Sequence, residues 1–238
     1  MSIPILIYTH SEYSFLWKAA IPLLEKYAKG FEIIWCCDSL LDFTTPEGWR
    51  VFIYDTNLSW SMRVKTCLDT INSDYLIYLQ EDWLLIDSLS NERIEYCLDF
   101  MKDCECEFLM SLPCNPIDKY CDMDYDGYRF INIFSHYLQP AIWKKSLLNE
   151  ICLLDIPIRD AETEKCFSIT KERNCFATYS INYLKELSTR SFFFPHIHAM
   201  YQGKWTFLKY PCLKALVEAY GIDTTTREVD DIWTIDFQ

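Results

Sequence analysis

Apolar residues along the first 85 positions fall into two kinds of block. Ile3 to Thr9, Phe31 to Cys37, Arg50 to Tyr54 and Tyr75 to Leu79 are short runs rich in branched and aromatic residues, and each stops at a polar cluster. Runs of that length and composition read as strands buried on both faces. Between them, Tyr13 to Lys29 carries Phe15, Leu16, Ala19, Ala20, Leu23, Leu24 and Tyr27 at helical spacing before Gly30 closes the segment. Ser59 or Ser61 can cap a second helix running to about Ile71, with Met62, Val64, Cys67, Leu68 and Ile71 as its buried stripe. Strands alternating with helices predict an α/β fold: a mostly parallel, doubly wound sheet with helices on both faces.

The second half continues less regularly. The pattern predicts helices over Asn91 to Lys102, Pro140 to Cys152, Ala161 to Glu172 and Leu208 to Ala219. It predicts strands over Glu107 to Leu112, Phe130 to Tyr137 and Phe192 to His198, with a polar, Asp-rich excursion from Pro113 to Gly127. No Gly-, Ser- or Pro-rich linker, internal repeat or low-complexity tract divides the chain, so a single domain over 1–238 is expected.

In an open parallel sheet the carboxyl ends of the strands share one edge, where ligands bind. Thr9 to Glu12, Asp38, Asp55 and the Gln80-Glu81-Asp82 cluster should therefore meet at one cleft. Adjacent carboxylates at the end of a central strand can grip a divalent cation or a ribose hydroxyl. The competing reading is a solvated turn that ends the strand.

Charge narrows the ligand. Asp plus Glu number 35 against 22 Lys plus Arg, a formal net charge of -13, which argues against nucleic acid and anionic membranes as partners because both demand clustered cations. A phosphate-bearing ligand must then be held by a few local groups. Twelve cysteines suggest a disulfide framework at first. The chain, however, opens Met-Ser-Ile-Pro-Ile-Leu without a basic leader, and Cys36, Cys37, Cys67, Cys97 and Cys152 sit inside apolar patterns. Reduced core thiols in a cytoplasmic protein are the expectation. Cys104, Cys106, Cys114 and Cys121 form the one cluster that suggests zinc, and they lack the paired knuckle spacing of structural sites. No apolar stretch reaches the ~18 residues of a transmembrane segment.

Four segments, taken in order, resemble the GT-A glycosyltransferases. Ser59 to Arg63 followed by Cys67 to Trp83, ending in Gln80-Glu81-Asp82-Trp83, resembles the helix and strand that lead into the acidic DxD-type motif of that fold. His136 to Leu148 is similar to the segment before the catalytic-base helix of family-2-like members, and Asp160, Glu162 and Glu164 follow where the base would lie. His198 to Trp205 resembles the late loop that closes over the diphosphate. One departure stands out: the usual motif is acidic at both ends, and here Gln80 occupies the first.

The resemblance implies a nucleotide-binding half (1–112) and an acceptor and catalytic-base half (113–238). It implies a nucleotide-diphosphate sugar donor and a glycan or other hydroxyl acceptor. Asp82 is the leading ligand for Mn²⁺ or Mg²⁺, with His198 second and imidazole better suited to Mn²⁺. His196, two residues away, is not separable from His198 by pattern. Thr9, Glu12, Asp38, Gln80, Glu81 and Trp83 are expected on the donor, with Arg63 and Lys204 near its phosphates and Trp205 as a face for a sugar ring. Each has a plainer alternative: a turn aspartate for Asp38, solvated helix and loop cations for Arg63 and Lys204, and core packing for the tryptophans.

An inverting transfer needs a carboxylate to take the acceptor proton. Glu162 and Glu164, two residues apart, would face about 200° apart on one helix. The resemblance favours Glu164, then Glu162, with Asp160 as a helix cap. Two other readings remain open. A sugar-nucleotide nucleotidyltransferase would carry a Gly-rich basic loop after the first strand, where this chain has Thr9-His10-Ser11-Glu12. A degenerate, non-catalytic nucleotide- or carbohydrate-binding module is kept open by Gln80.

Overall fold

The computed structural model describes residues 3–111, 120–125, 128–133, 136, 138–171, 173–180 and 191–230, without the side chains of 120–125, 164, 179 and 180. Strand β1 (Ile5–Tyr8) is followed by helix α1 (Ser14–Tyr27), β2 (Ile33–Cys37), β3 (Arg50–Ile53), α2 (Trp60–Leu68), β4 (Tyr75–Gln80), β5 (Trp83–Leu85), α3 (Asn91–Asp103) and β6 (Phe108–Met110). Then come β7 (Tyr120–Tyr125), β8 (Tyr128–Asn132), β9 (Ala141–Lys144), α4 (Lys145–Cys152), α5 (Glu164–Thr170), β10 (Cys175–Ser180), β11 (His196–His198), β12 (Met200–Tyr201), β13 (Lys204–Trp205) and α6 (Pro211–Ala219).

Among the described residues nine strands form one sheet in the order β3-β2-β1-β4-β9-β6-β10-β8-β7. β3, β2, β1 and β4 pair in parallel. β9 inserts antiparallel between β4 and β6, and β10 runs parallel to β6. β8 and β7 complete the far side antiparallel. All strands except β9 and β8 therefore point one way, the mostly parallel α/β sheet that the alternation predicts.

Alternate residues of each strand sort into two cores, as a period of two requires. Ile5, Ile7, Ile33, Trp35, Ile77 and Leu79 pack with apolar residues of α1, α3 and α6. Leu6, Tyr8, Ile34, Cys36, Leu76 and Tyr78 pack with those of α2, α4 and α5. Helices thus cover both faces, and β1, β2 and β4 read as unbroken apolar runs because neither of their faces meets water, whereas β3, at the sheet edge, is largely exposed, contrary to the expectation for Arg50 to Tyr54.

The second half departs from the pattern reading in specific places. Pro140 to Cys152 is not one helix: Ala141–Lys144 is a strand locked between β4 and β6, and helical periodicity begins only at Lys145. Cys175–Ser180 is an unforeseen strand with Cys175 and Ala177 buried. Tyr120–Tyr125 is a strand inside the expected polar excursion, whose residues 113–119 and 126–127 lie outside the described set. The predicted strand over 130–137 begins earlier and ends at Asn132, with 134, 135 and 137 outside the description. Phe192 to His198 is strand only from His196, because the Ser191 hydroxyl accepts the Phe194 N–H at 2.8 Å and donates to its carbonyl at 2.5 Å, holding a turn.

The ten described cysteines are free thiols, eight of them buried; the thiols of Cys114 and Cys121 lie outside the description. Cys106 donates to the Phe108 carbonyl at 3.1 Å, and burial pushes its thiol up. Among the described residues no group of three or more His, Cys, Asp or Glu is placed to hold a metal, and no helix is long and apolar enough to cross a membrane.

Candidate functional site

The parallel strands end at a cleft of about 850 Å³ whose floor is Tyr8 and Gln80-Glu81-Asp82. One wall is Leu58, Ser59, Trp60 and Arg63 with Pro157 and Ile158; the other is His10, Glu12 and Tyr13 with Met200, Gln202, Gly203 and Arg227. The first wall is stitched by the start of α2. Ser59 caps that helix by accepting the Met62 N–H at 3.2 Å and donates to Asp155 at 2.6 Å, while the buried Ser61 hydroxyl accepts the Ile156 N–H at 2.8 Å. Segments nearly a hundred residues apart in sequence are thereby fixed on one side of the cleft.

Asp82 is built into the floor by the short ribbon that follows β4. β5 pairs antiparallel with β11 so that His198 faces Trp83, and the Ala199 N–H bonds the Asp82 carbonyl at 2.7 Å. His198 Nε2 consequently sits 3.2 Å from Asp82 Oδ2, and its ring stacks on Trp83 at 3.8 Å with planes 8° apart. Asp82 Oδ1 is buried with no hydrogen-bond partner. An orphaned carboxylate oxygen beside an imidazole is a donor set suited to Mn²⁺ or Mg²⁺, which take one or two protein ligands and complete their shell with phosphate and water. The ribbon also separates the two histidines. His196 is buried, its Nδ1 is 2.5 Å from the Phe194 carbonyl, and burial lowers its pKa to about 3, so it is a neutral core residue.

Glu81, 8% exposed, differs from its neighbour. Burial, then the adjacent Asp82 charge, pushes its carboxyl well above the usual 4.5, although the Thr9 hydroxyl bonds it. Burial and the neighbouring carboxylate thus both favour the neutral form of Glu81, so of the two adjacent acids Asp82 is the better placed to carry charge. Thr9 is fully buried, accepts the Trp17 indole N–H at 2.6 Å and receives the Tyr54 hydroxyl on its carbonyl at 2.8 Å. It supports the floor and is not presented to a ligand. Glu12 and Gln80 do line the cleft.

Asp38 is tied to the loop after β1, not to its own turn. Its carboxylate accepts the Ser11 N–H at 2.7 Å and the Ser11 hydroxyl at 2.6 Å, with His10 3.6 Å away. Burial pushes the group upward, but the two Ser11 bonds and His10 outweigh it and leave the pKa lowered, so Asp38 stays charged.

Three expected cation and aromatic roles change. Arg63 lines the cleft, but Nε donates to the Leu58 carbonyl at 2.8 Å, Nη2 to the Thr56 carbonyl at 2.6 Å and Nη1 to the Tyr8 hydroxyl at 3.2 Å. Its guanidinium lies 4.8 Å over Tyr54, which stacks on Tyr8 at 5.3 Å. It organises the wall with three of its five N–H groups. Lys204 pairs with Glu228 at 2.9 Å and is not a lining residue. Trp205 is fully buried, stacked on Phe207 at 5.1 Å, and is core.

On the acceptor side Asp160 is not a helix cap; it belongs to a 3-10 turn (Ile158–Asp160), and its carbonyl accepts the Thr163 hydroxyl at 2.7 Å. Glu162 precedes α5, so the expectation of two glutamates on one helix fails: only Glu164, whose side chain lies outside the description, is helical. The Glu162 carboxylate accepts the Leu138 N–H at 2.6 Å. Burial raises its pKa above 4.5 against the opposing pull of that bond and of His198, which places it within electrostatic reach of His198.

Arg227 went unread in the sequence. It lies in a polar Thr-Thr-Thr-Arg-Glu stretch after the last helix, with no periodicity to signal a role. The turn at Gln202-Gly203, where φ is 50° and 78°, was legible through its glycine, since both central residues of a tight hairpin turn need positive φ.

No family model and no curated protein matches the chain. Among solved structures it is similar to S. aureus TarS 1-349 (11% identity, 77% of this chain and 61% of that one, TM-score 0.44). It is also similar to a cytidylyltransferase from Leptospira borgpetersenii (15%, 98% and 99%, TM-score 0.48) and to the glycosyltransferase GlyE of Streptococcus pneumoniae (9%, 79% and 48%, TM-score 0.47). The chain spans 61% of TarS 1-349 and 52% of the bifunctional IspDF of Campylobacter jejuni, another structure it resembles. At TM-scores below 0.5 these likenesses assign neither a family nor an activity.

Proposed function

We propose that the cleft binds a nucleotide-diphosphate sugar and transfers the sugar to an acceptor hydroxyl with inversion, as a GT-A-like glycosyltransferase. The observation that carries this reading is the Asp82–His198 pair at the end of β4, with the unpartnered Asp82 oxygen beside it and Glu162 within electrostatic reach of His198. Such a transfer develops negative charge on the departing diphosphate and needs a proton removed from the acceptor, so an enzyme must answer both demands.

Asp82 and His198 would hold a divalent cation, and a bound Mn²⁺ or Mg²⁺ would neutralise the leaving diphosphate as a Lewis acid. Burial and the Asp82 charge disfavour ionisation of Glu81, which limits negative charge at this end of the cleft. Gln80, which lines the cleft, would offer neutral hydrogen bonds to the nucleoside, and Tyr8 beside it is held by its stack on Tyr54. Glu162 is the candidate base: a carboxylate with a raised pKa retains enough basicity to accept the acceptor proton in the transition state.

A panel of nucleotide sugars incubated with Mn²⁺ tests the reading through donor hydrolysis and release of free nucleoside diphosphate. Release of pyrophosphate from a nucleoside triphosphate and a sugar phosphate would instead favour a nucleotidyltransferase. Absence of both reactions, with nucleotide still bound, would leave a non-catalytic binding module.

A further inference from the structure

We infer that Arg227, carried on a C-terminal strap, is the cation that grips the donor's diphosphate, in place of Lys204. The inference rests on the nucleotide-sugar reading of the cleft. The strap is fixed by backbone bonds: the Trp205 N–H donates to the Glu228 carbonyl at 2.8 Å and the Asp230 N–H to the Trp205 carbonyl at 2.8 Å, with Val229 bridging Trp205 in parallel. Trp205 is fully buried, so the residue next to this anchor is held at the cleft wall by the core itself. The Arg227 guanidinium lies 5.8 Å over Tyr13 and 5.4 Å over Phe15, faces that hold an otherwise exposed side chain in one place.

Charge and donor accounting single it out. An anion entering beside Glu12 and Asp82 needs a cation with N–H groups to spare. Arg63 has three of its five N–H groups on Leu58, Thr56 and Tyr8, which hold it against the opposite wall, and Lys204 faces Glu228. Among the described residues no carboxylate pairs with Arg227, although it lines the same cleft. Tyr13 lies within electrostatic reach of Glu81 and Asp82 as well as of Arg227, so the guanidinium stands across one aromatic ring from the acidic floor. A planar fork of five donors binds two phosphate oxygens together, which a lysine ammonium cannot match in geometry.

The test uses the full chain with Mg²⁺ and two calorimetric probes, inorganic pyrophosphate and UDP, with uridine as a phosphate-free control. Arg227→Gln should weaken both phosphate probes by about 10- to 100-fold, the range of a charge-assisted hydrogen bond. Its effect on uridine and on the melting temperature should be negligible, because the side chain is exposed. Lys204→Gln should change pyrophosphate binding by less than about twofold, and Arg227→Lys should recover only part of the loss. Equal phosphate affinity in Arg227→Gln and the unaltered protein overturns the inference and leaves the nucleotide reading standing. Failure of the unaltered protein to bind pyrophosphate, UDP, GDP or CDP overturns both.

Discussion

His198 Nε2 meets Asp82 Oδ2 at 3.2 Å across 116 residues of chain, and the β5–β11 ribbon is what makes them neighbours. Because β5 begins immediately after the acidic cluster, any strand that pairs with it delivers a side chain to the sheet edge. Trp83 then fixes the imidazole by face-to-face stacking, which leaves the ring oriented before a ligand arrives. Pre-orientation of that kind lowers the cost of assembling a metal shell.

The proposed metal site predicts that nucleotide binding depends on a divalent ion. UDP or GDP titrated calorimetrically should bind at least about tenfold more tightly with Mn²⁺ than with a chelator, in line with the 10- to 100-fold effect that well-oriented ligands have on metal affinity. Asp82→Asn should abolish the difference, and His198→Gln should reduce it. Equal affinities with metal and chelator would remove the ion from the reading and leave the phosphates to the protein's own cations.

Glu81 predicts a pH effect on stability. Its folded-state pKa is raised by burial and by Asp82, so the folded protein holds this proton above pH 4.5 while the unfolded chain releases it. The associated stabilisation is complete below 4.5 and is lost as pH rises through the raised value. Glu81→Gln should therefore melt higher than the unaltered protein at pH 8, by at least the ~2–4 °C that 1 kcal/mol represents for a domain of this size, and the gap should close near pH 4. A lower melting temperature for Glu81→Gln at pH 8 would mean that the carboxylate is charged and satisfied in the fold.

The two buried imidazoles give the opposite slope. Burial lowers His136 to about 4 and His196 to about 3, so each is neutral in the fold and must resist a proton that the unfolded chain accepts near 6.5. Stability from this source is present above 6.5 and declines as pH falls toward 4. His136 Nε2 donates to the Ala161 carbonyl 2.9 Å away, beside Glu162, so local loosening there should precede global unfolding. Hydrogen exchange between pH 7 and 5 should show amides of 161–170 opening first; uniform exchange across the sheet would contradict the assignment.

The parallel half was legible because its physics is local. Strands buried on both faces must be apolar throughout, and their polar ends must face one edge, so Asp38, Glu81 and Asp82 could be placed from sequence alone. Where the sequence failed, distance in the chain decided. Ala141–Lys144 is apolar enough for helix or strand, and only its slot between β4 and β6 selects strand. Lys204 carries the right charge in the right loop, yet Glu228 neutralises it; Arg227 has no local pattern and takes its position from Trp205 and the Tyr13 and Phe15 rings. Pattern reading sees residue types at spacings, and it does not see which partner a long side chain finds.

The thiols offer a direct check on the core. Burial pushes Cys37, Cys152 and Cys175 up to about 12, so they are protonated and inert at neutral pH. Titration with a thiol reagent on the folded protein should find Cys212 reactive early, since among the described cysteines it is the exposed one. Under denaturing, non-reducing conditions the count should approach the twelve cysteines of the sequence. A denatured count near zero would mean that the protein matures in an oxidising compartment.

The catalytic base is where geometry and resemblance diverge. The resemblance favours Glu164, at the first position of α5, whereas Glu162 is the carboxylate whose surroundings are defined: an N–H bond from Leu138, a pKa raised by burial, and His198 within reach. If Glu162 takes the acceptor proton, Glu162→Gln should lower kcat by a factor on the order of 10² to 10⁴ while UDP affinity changes little, since a general base acts only in the transition state. The acid limb of kcat against pH should lie above 4.5, because the raised carboxyl must be deprotonated to act, and the limb should vanish in the residual activity of the variant. Glu164→Gln should retain most activity. The reverse ranking would return the role to Glu164, and full activity in both variants would sink inversion by a carboxylate base, since no proton acceptor would be left for the acceptor hydroxyl.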